Sequence, residues 1–383
     1  MSYEKSVLQL ICHIISGKSP ELKYDHKEGC ADTGRLIKCL QYHQIVPLIH
    51  HYRREIMEQI PALSEDFYEG VKAYAYFNIS RVMIYEHFLK LMDQKFKSHD
   101  IAYRLFKGLV TGRTVYQESH LRAFGDLDIL IRTEDLTRVH NLLLTEGFDI
   151  DDDLYRPFPE EIIRKYSFAR HYLRQKPNNI AIDIHLNLSG KLHPFQFDHT
   201  DFWDNSITEQ VGDVTVSTFD LEHQAVYALY HAFKHYYFKL IWLIDVFKMV
   251  DQDSLESDYF IGLLKRYKLM RIWKIFLPIA LILFGRLPNI SKGLESEYQK
   301  QHPVINSDAV LNGILPYSDS RARMILPLYY LPGIAKKIRY LGRQLFPPKE
   351  TVRDFYDEDA LPDTWKNYLQ LRGKAITGLI FNE

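Results

Sequence analysis

The stretch Arg122-Ala-Phe-Gly-Asp-Leu-Asp128 runs directly into apolar and β-branched residues, and a strand is expected over Leu127 to Ile131. Side chains alternate along a strand, so the carboxylates of Asp126 and Asp128 point to the same side. Two like charges this close favour a cation between them, and Mg²⁺ prefers oxygen ligands. An Asp-x-Asp pair alone is a weak signal, because a strand can also begin with two solvated acids after a glycine turn.

The segment before these acids adds features of a phosphate site. A strand is expected over Tyr103 to Phe106, followed by Lys107, Gly108 and helical spacing. A glycine there lets backbone N–H groups approach phosphate oxygens at a helix start. Lys107 has two open interpretations, a point-charge contact with phosphate or a solvated strand end. Arg122 also has two, a bidentate phosphate clamp or a pair with an acid in a loop, and we favour the clamp because Arg122 closely precedes the acids.

A third carboxylate lies in a later apolar run. The residues from Phe168 to Gln175, a turn at Pro177-Asn178-Asn179, and the residues from Ile180 to Leu188 predict a long antiparallel hairpin. Asp183 and His185 share the polar face of its second strand. That face is either an exposed edge or, beside the Asp-x-Asp strand, the completion of a two-metal site. His185 either orients Asp183 or a substrate, or is a satisfied structural residue.

The rest of the chain is predicted to be mainly helical, which gives an α+β fold. We expect an N-terminal helical region over residues 1–97, a core with a small mixed sheet over residues 98–218, and a C-terminal helical region over residues 219–383. A second, smaller hairpin is expected at about residues 209–217, turning at Gly212-Asp213. Thr133 is a candidate N-cap for the helix after the Asp-x-Asp strand, and Thr218 or Asp220 for the first C-terminal helix.

One C-terminal helix, expected around Tyr227 to Asp245, carries rings on one face. These rings are Tyr227, His231, His235 and Trp242. The i, i+4 histidines have a spacing that can bind zinc, but no third or fourth ligand is apparent. We expect the helix to cover the sheet. The residues expected near the base, ribose or phosphates of a ligand are His231, Lys234, His235 or Lys239.

A second basic segment lies near the C-terminus. It contains Lys336, Lys337, Arg339 and Arg343. Its two interpretations are a nucleic-acid or phosphate patch and the solvated face of an amphipathic helix, of which we favour the helix. The apolar side of that helix would contain Ile334, Ile338, Leu341 and Leu345.

Composition limits the class of protein and of partner. The net charge of -1 gives no support for a polynucleotide partner, although it does not exclude one. Cys12, Cys30 and Cys39 lack metal-ligand spacing and are expected to be reduced and structural. The longest apolar run, Ile275 to Phe284, contains Pro278 and is too short to cross a membrane. The first residues do not have the pattern of a secretion signal, so a cytoplasmic location is expected.

Taken in order, these motifs resemble a known family. The set is Lys107-Gly108, Arg122, Gly125-Asp126-Leu127-Asp128 and Ile182-Asp183-Ile184-His185-Leu186. It resembles the nucleotidyltransferase superfamily related to DNA polymerase β, and more closely a bacterial group described only as uncharacterised nucleotidyltransferases, often met beside natural-product peptide genes. The resemblance covers roughly residues 75 to 250, with weaker similarity in the tail at residues 345–348 and 368–372.

The resemblance implies transfer of a nucleoside monophosphate from a nucleoside triphosphate, with release of pyrophosphate and help from two Mg²⁺ ions. It implies that Asp126 and Asp128 bind both ions and the triphosphate, and that Asp183 holds the second ion and helps to deprotonate an acceptor hydroxyl. The chain departs from the superfamily in one place. Gly-Ser usually follows the first strand, with the serine contacting phosphate, whereas this chain has Lys107-Gly108-Leu109.

ATP is the default donor because it is abundant, and a small molecule or peptide is the expected acceptor. Two alternatives remain open. The first is a catalytically silent scaffold that binds nucleotide or recruits a partner, which the altered Gly-Ser position favours and the three acids oppose. The second is a toxin-type nucleotidyltransferase that modifies tRNA or a protein. Fold analogy does not decide among them, because one fold hosts many functions.

Overall fold

A computed structural model gives the fold of most of the chain. It describes residues 3–18, 33–61, 63–150, 160–166, 169–191, 193–235, 239–291 and 333–346, together with residues 328, 331, 348, 367–370 and 372. Cys30, and much of the C-terminal region in which we expect helices, lie outside the described residues.

Five strands form a mixed sheet, as expected for the predicted α+β fold. They are β1 (Tyr103–Phe106), β2 (Leu127–Ile131), β3 (Asp149–Ile150), β4 (Arg170–Arg174) and β5 (Ile180–His185). Their order in the sheet is β1-β2-β5-β4-β3. Strands β2 and β5 are parallel, and the other neighbours are antiparallel. The bounds predicted for β1 and β2 and the predicted β4–β5 hairpin are confirmed.

A separate two-stranded sheet confirms the smaller hairpin. It consists of β6 (Ser206–Val211) and β7 (Val214–Phe219). The helices of the described residues precede, interrupt and follow the strands. They are α1 (Tyr3–Ile15), α2 (Thr33–Tyr42), α3 (Val46–His51), α4 (Arg53–Gln59), α5 (Glu65–Ser98), α6 (Gly108–Tyr116), α7 (Leu136–Thr145), α8 (Glu160–Tyr166), α9 (His199–Asp204), α10 (Leu221–Lys234), α11 (Leu240–Val250), α12 (Ser257–Arg266), α13 (Met270–Phe284) and α14 (Ile334–Leu345).

Helix α5 is the longest helix of the described residues and connects two parts of the structure. Its start is well defined, because the Ser64 side chain accepts a hydrogen bond from the Phe67 amide and Glu65 and Asp66 lie in the first turn. From Val82 onward its buried residues pack in the same apolar core as the main sheet. With 34 residues it spans about 50 Å.

The starts of two other helices test the predicted caps. Asp220 caps α10, because its side chain accepts a hydrogen bond from the His223 amide at 2.8 Å. Thr133 does not cap α7; it begins a short 3₁₀ turn, and Asp135 precedes the helix without a side-chain cap bond. The predicted cap is therefore the first residue of a three-residue turn that comes before the helix, which starts at Leu136.

The prediction of one continuous helix around Tyr227 to Asp245 is wrong. Helix α10 ends at Lys234 and α11 begins at Leu240. The i, i+4 pattern detects each helix but does not show the break between them. The rings expected on one face therefore come from two helices.

The apolar residues of the described chain form two cores. One core contains most of the main sheet with the second half of α5, part of α7 and the start of α6. The other contains the first half of α5 and most of the other helices, and residues of α1 such as Ile11 share it with residues of α13 such as Leu283. Cys12 and Cys39 are buried, and they form no disulfide bond within the described part of the chain. The partition at residues 97/98 and 218/219 stays a prediction.

The helix predicted over the basic C-terminal segment is present as α14, but its predicted apolar side is wrong. Ile334 is 77% exposed and Ile338 is 63% exposed, whereas Tyr340 is buried. The aromatic side chain takes the inward position, which turns the two isoleucines outward. None of the described helices is both long and apolar enough to span a bilayer.

A buried ion pair joins the segment before β2 to helix α11. Arg122 donates to Asp245 through Nε at 3.0 Å and through Nη2 at 2.7 Å. Tyr116 at the end of α6 donates to the same carboxylate at 2.7 Å. Both charged side chains are only 6% exposed. Because each charge depends on the other inside the protein, this pair connects the sheet to the C-terminal helices.

Asp245→Asn is expected to lower the free energy of unfolding by about 3–5 kcal/mol, because it leaves the Arg122 charge buried without its counter-charge. Tyr116→Phe removes one hydrogen bond and is expected to cost about 1 kcal/mol. Urea unfolding followed by circular dichroism measures both.

The double variant Arg122→Met with Asp245→Leu serves as the first control and should recover most of the stability lost in Asp245→Asn. The second control is Asp213→Asn, whose carboxylate pairs with Lys90 on the surface; it should leave the urea midpoint unchanged. Equal urea midpoints for Asp245→Asn and Asp213→Asn would contradict the role assigned to the buried pair.

Candidate active site

A cleft of about 570 Å³ contains every residue that the sequence singled out for a site. These residues are Lys107, Gly108, Arg122, Asp126, Asp128, Asp183, His185, His231, Lys234 and His235. They come from the sheet and from helices that follow it. All of these residues line the same cleft, but their hydrogen bonds and ion pairs differ from residue to residue.

Three carboxylates meet where β2 and β5 run side by side. Asp128 lies directly opposite Asp183 in the parallel register, and Asp126 comes just before β2. Asp128 is buried and Asp126 is half-buried. Burial, followed by the neighbouring charges of Asp128 and Asp183, raises the pKa of Asp126 to about 7. The raised pKa means that nearby positive groups do not balance the negative charge of Asp126. This is the condition under which two close carboxylates favour a bound cation.

The backbone that carries these acids is held from helix α5. The hydroxyl of Tyr85 donates to the Gly125 carbonyl at 3.2 Å and accepts from the Ala181 amide at 3.0 Å. Arg81 also donates to the Gly125 carbonyl. One tyrosine thus connects the residue before Asp126 with strand β5, which fixes the spacing of the carboxylates.

Lys107 pairs with one of the acids. Its Nζ donates to Oδ1 of Asp128 at 2.6 Å, and its side chain is 17% exposed. Burial alone would raise the pKa of Asp128, but Lys107 and then His185 hold it well below its usual value. Lys107 is therefore not the solvated strand end that was one of its two interpretations. A phosphate contact stays a prediction.

Gly108 begins helix α6, where the sequence predicted a helix start. Its φ is +35°, and a Cβ added there would lie 3.3 Å from the Asp126 carbonyl and 3.4 Å from Cβ of Phe124. The glycine therefore allows the start of α6 to approach the backbone of the acid-bearing segment. The N–H groups of the first turn of a helix have no carbonyl partner within the helix, and such groups bind phosphate oxygens.

Two histidines contact the carboxylates. Nε2 of His185 lies 2.9 Å from Oδ1 of Asp128, so His185 contacts that acid and not Asp183. Nδ1 of His171, on β4, is hydrogen-bonded to Oδ1 of Asp183. His171 was not among the site residues predicted from the sequence. The hairpin register was the available signal, because strands that turn at Pro177 place residue 171 opposite residue 183.

Among the described residues, two overlapping groups could hold a metal ion. They are Asp126, His171 and Asp183, and Asp128, Asp183 and His185. In each group the candidate ligand atoms lie within 4.8 Å of one another. Carboxylate oxygens suit Mg²⁺, and imidazole nitrogens are accepted by first-row divalent ions such as Mn²⁺. The donor set therefore fits a divalent cation.

Basic and aromatic residues from α10 and α11 line another part of the cleft. The ring of Trp242 lies 5.0 Å from the rings of both His231 and His235. Burial, and then Lys234, lowers the pKa of His235 to about 3, which keeps that ring neutral. Neither histidine belongs to the metal groups found among the described residues. Positive charge here comes from Lys234 and Lys239, which also line the cleft.

Arg122 borders the cleft, but Asp245 occupies its guanidinium. Of its two interpretations, pairing with an acid is the one seen in the structure, although that acid lies on helix α11 and not in a loop. The long-range position of Asp245 explains why the sequence favoured the phosphate clamp. No local pattern marks an acid so distant as the partner.

Comparison with solved structures finds a crystal structure of an antigenic nucleotidyltransferase-like protein from Paracoccidioides brasiliensis. The sequences are 14% identical, and the match covers 49% of this chain and 91% of that chain with a TM-score of 0.30. At this level the likeness carries no argument about function. Comparison with curated proteins finds no match.

A family model supplies the stronger result. The model described as uncharacterised nucleotidyltransferase matches residues 29–285, which is more than half of the chain. The matched range includes the cleft residues and ends before the tail segments at residues 345–348 and 368–372. With the three acids on adjoining strands, this match shows that the chain belongs to the uncharacterised nucleotidyltransferase family.

Proposed function

We propose that the protein transfers a nucleoside monophosphate from a nucleoside triphosphate to a hydroxyl group of a small molecule or peptide. One observation carries this proposal: three carboxylates line the same cleft. Asp128 on β2 lies opposite Asp183 on β5, and Asp126 comes just before β2. Family membership supports a nucleotidyl transfer reaction. ATP is the proposed donor because it is the most abundant triphosphate.

The three acids would hold Mg²⁺, and the resemblance to the superfamily implies a pair of ions. Bound Mg²⁺ would supply charge neutralisation and polarisation at the transferred phosphoryl group. The chain's own contribution is to orient the ligand oxygens: the Tyr85 hydroxyl contacts both the Gly125 carbonyl beside Asp126 and the Ala181 amide of the strand that carries Asp183. Hydrogen bonds of this kind, made from outside the metal site, set the direction in which a ligand presents its lone pairs.

The triphosphate is proposed to lie between the start of α6 and the basic part of the cleft. The N–H groups at Gly108 point out of a helix start, and Lys234 and Lys239 provide positive charge. Trp242 offers an aromatic surface to the ligand in the same part of the cleft. The cleft volume lies within the range of about 300–1,000 Å³ found for small-molecule sites.

In the reaction, the acceptor oxygen forms a bond to the α-phosphorus while the bond from that phosphorus to the bridging oxygen breaks. Pyrophosphate leaves with the bonding electron pair. The proton of the acceptor hydroxyl passes to Asp183, a carboxylate within the cleft. Positioning of the two reactants and balance of the developing charge account for most of the rate.

The acceptor is proposed to be small because the chain has a net charge of -1 and lacks a basic footprint for a polynucleotide. Apolar side chains, including Ile150 and Ile163, also line the cleft. Such residues suit an acceptor with an apolar part, as most small-molecule pockets combine apolar walls with a few polar groups.

Asp126→Asn, Asp128→Asn and Asp183→Asn are each expected to lower the transfer rate more than about 100-fold, because each removes a negative charge from the carboxylate cluster that balances the positive charges of the site. Radiolabelled triphosphates offered with a panel of hydroxyl-bearing acceptors measure the transfer. Circular dichroism checks that each variant is folded. Asp213→Asn, on the surface hairpin, is the matched acid-to-amide control and should keep the wild-type rate.

Calorimetry of each triphosphate with Mg²⁺ separates the remaining cases. Binding of one triphosphate that disappears in the Asp126→Asn, Asp128→Asn double variant supports the site and identifies the donor. Binding without transfer to any acceptor favours the silent scaffold. A folded wild-type chain that binds none of the triphosphates contradicts the proposal.

Lys234→Met is expected to weaken triphosphate binding about 10- to 100-fold, because a charge-assisted phosphate contact contributes about 1.5–3 kcal/mol. The effect should shrink as salt is added, since added ions screen charge interactions. Lys90→Met, which removes a surface lysine paired with Asp213, is the control. Equal affinities of both variants would place the phosphates elsewhere in the cleft.

A further inference from the structure

Lys107 adopts an unusual backbone conformation at the junction of β1 and α6. Its φ of 57° and ψ of -157° lie in a region that side-chain-bearing residues rarely adopt. Such strain persists only where surrounding contacts hold the residue in place. The contacts in this case are made by the far end of the side chain.

The Lys107 ammonium is enclosed by one carboxylate and two aromatic rings. Nζ lies 2.6 Å from Oδ1 of Asp128, 5.1 Å from the ring centre of Phe106 and 5.4 Å from that of Tyr227. A lysine Nζ at hydrogen-bond distance from a carboxylate oxygen acts as a charged donor, because the ammonium has N–H groups to offer and the carboxylate only accepts.

This ammonium lies at the carboxylate of a residue that one of the two metal groups would use. That group consists of Asp128, Asp183 and His185. Oδ1 of Asp128 already contacts both Nζ of Lys107 and Nε2 of His185. The other group contains Asp126 and His171 with the shared Asp183, and Lys107 forms no ion pair with its members among the described contacts.

Charge balance also favours one divalent cation over two. The three carboxylates carry three negative charges, which one ammonium and one divalent cation together neutralise. A second divalent cation would leave excess positive charge close to Lys234 and Lys239, which line the same cleft. Charges in such partly dehydrated sites interact strongly, so an unbalanced charge is costly.

We propose that the Lys107 ammonium takes the place of one of the two cations, so that the site binds a single divalent cation at Asp126, His171 and Asp183. The inference rests on the proposed function only in requiring that the cleft binds a cation. It departs from the two-ion arrangement that the resemblance implies, and it gives the substitution of the Gly-Ser motif a chemical role.

The test counts bound Mn²⁺ on the full-length chain by electron paramagnetic resonance of the unbound ion. Wild type is expected to bind one ion per chain in the absence of nucleotide. Lys107→Met removes the ammonium and keeps an unbranched side chain, and Lys107→Gly also suits the positive φ. Both variants are expected to bind two ions, because the carboxylate of Asp128 becomes accessible to a cation.

Two controls complete the design. Lys234→Met without nucleotide should still bind one ion, since it removes a lysine of the same cleft that forms no ion pair with Asp128 among the described contacts. Asp126→Asn with Asp183→Asn gives the background count. Thermal unfolding shows which variants are folded, and the wild-type count stands even if a Lys107 variant fails to fold.

Two ions, or none, on the wild-type chain would overturn the proposal. So would a single ion on folded Lys107→Met and Lys107→Gly. A wild-type chain that binds one ion but transfers no nucleotide leaves the role of Lys107 in place and contradicts the proposed function instead.

Discussion

Repulsion between carboxylates is the constraint on which the surroundings of the cleft depend. The parallel register of β2 and β5 places Asp128 opposite Asp183, with Asp126 one residue before β2. Nearby side chains compensate for this concentration of negative charge. Lys107 and His185 contact Asp128, and His171 contacts Asp183. The cluster is costly for stability, because hydrophobic residues would pack the same space at lower cost.

The local parts of the fold could be predicted from the sequence. Strand β2 was recognisable because apolar and β-branched residues dominate the segment from Leu127 to Ile131, and Asp183 stood out as an acid in an apolar run. Their adjacency was predicted only as a condition of the metal site. The structure meets that condition through the register of β2 with β5. The catalytic role of each acid stays a prediction.

The features that the sequence did not reveal depend on distant contacts. The partner of Arg122 lies 123 residues away, and no local periodicity identifies it. His171 required the register of a hairpin, which follows from the turn and not from the strand composition. Helix α14 shows a further limit: a stripe of apolar residues predicts a helix, but it does not say which side meets the protein, and Tyr340 is the buried residue.

The ion pair between Arg122 and Asp245 also restricts how this sequence can vary in evolution. A lineage that lost either residue alone would keep a buried charge without its counter-charge, so the two positions are expected to be substituted together. The sheet with its acids would therefore not be stable when combined with a different set of C-terminal helices. Its evolution is coupled to that of helix α11, and a fragment that ends before Asp245 would be a poor starting point for a shortened form of the protein.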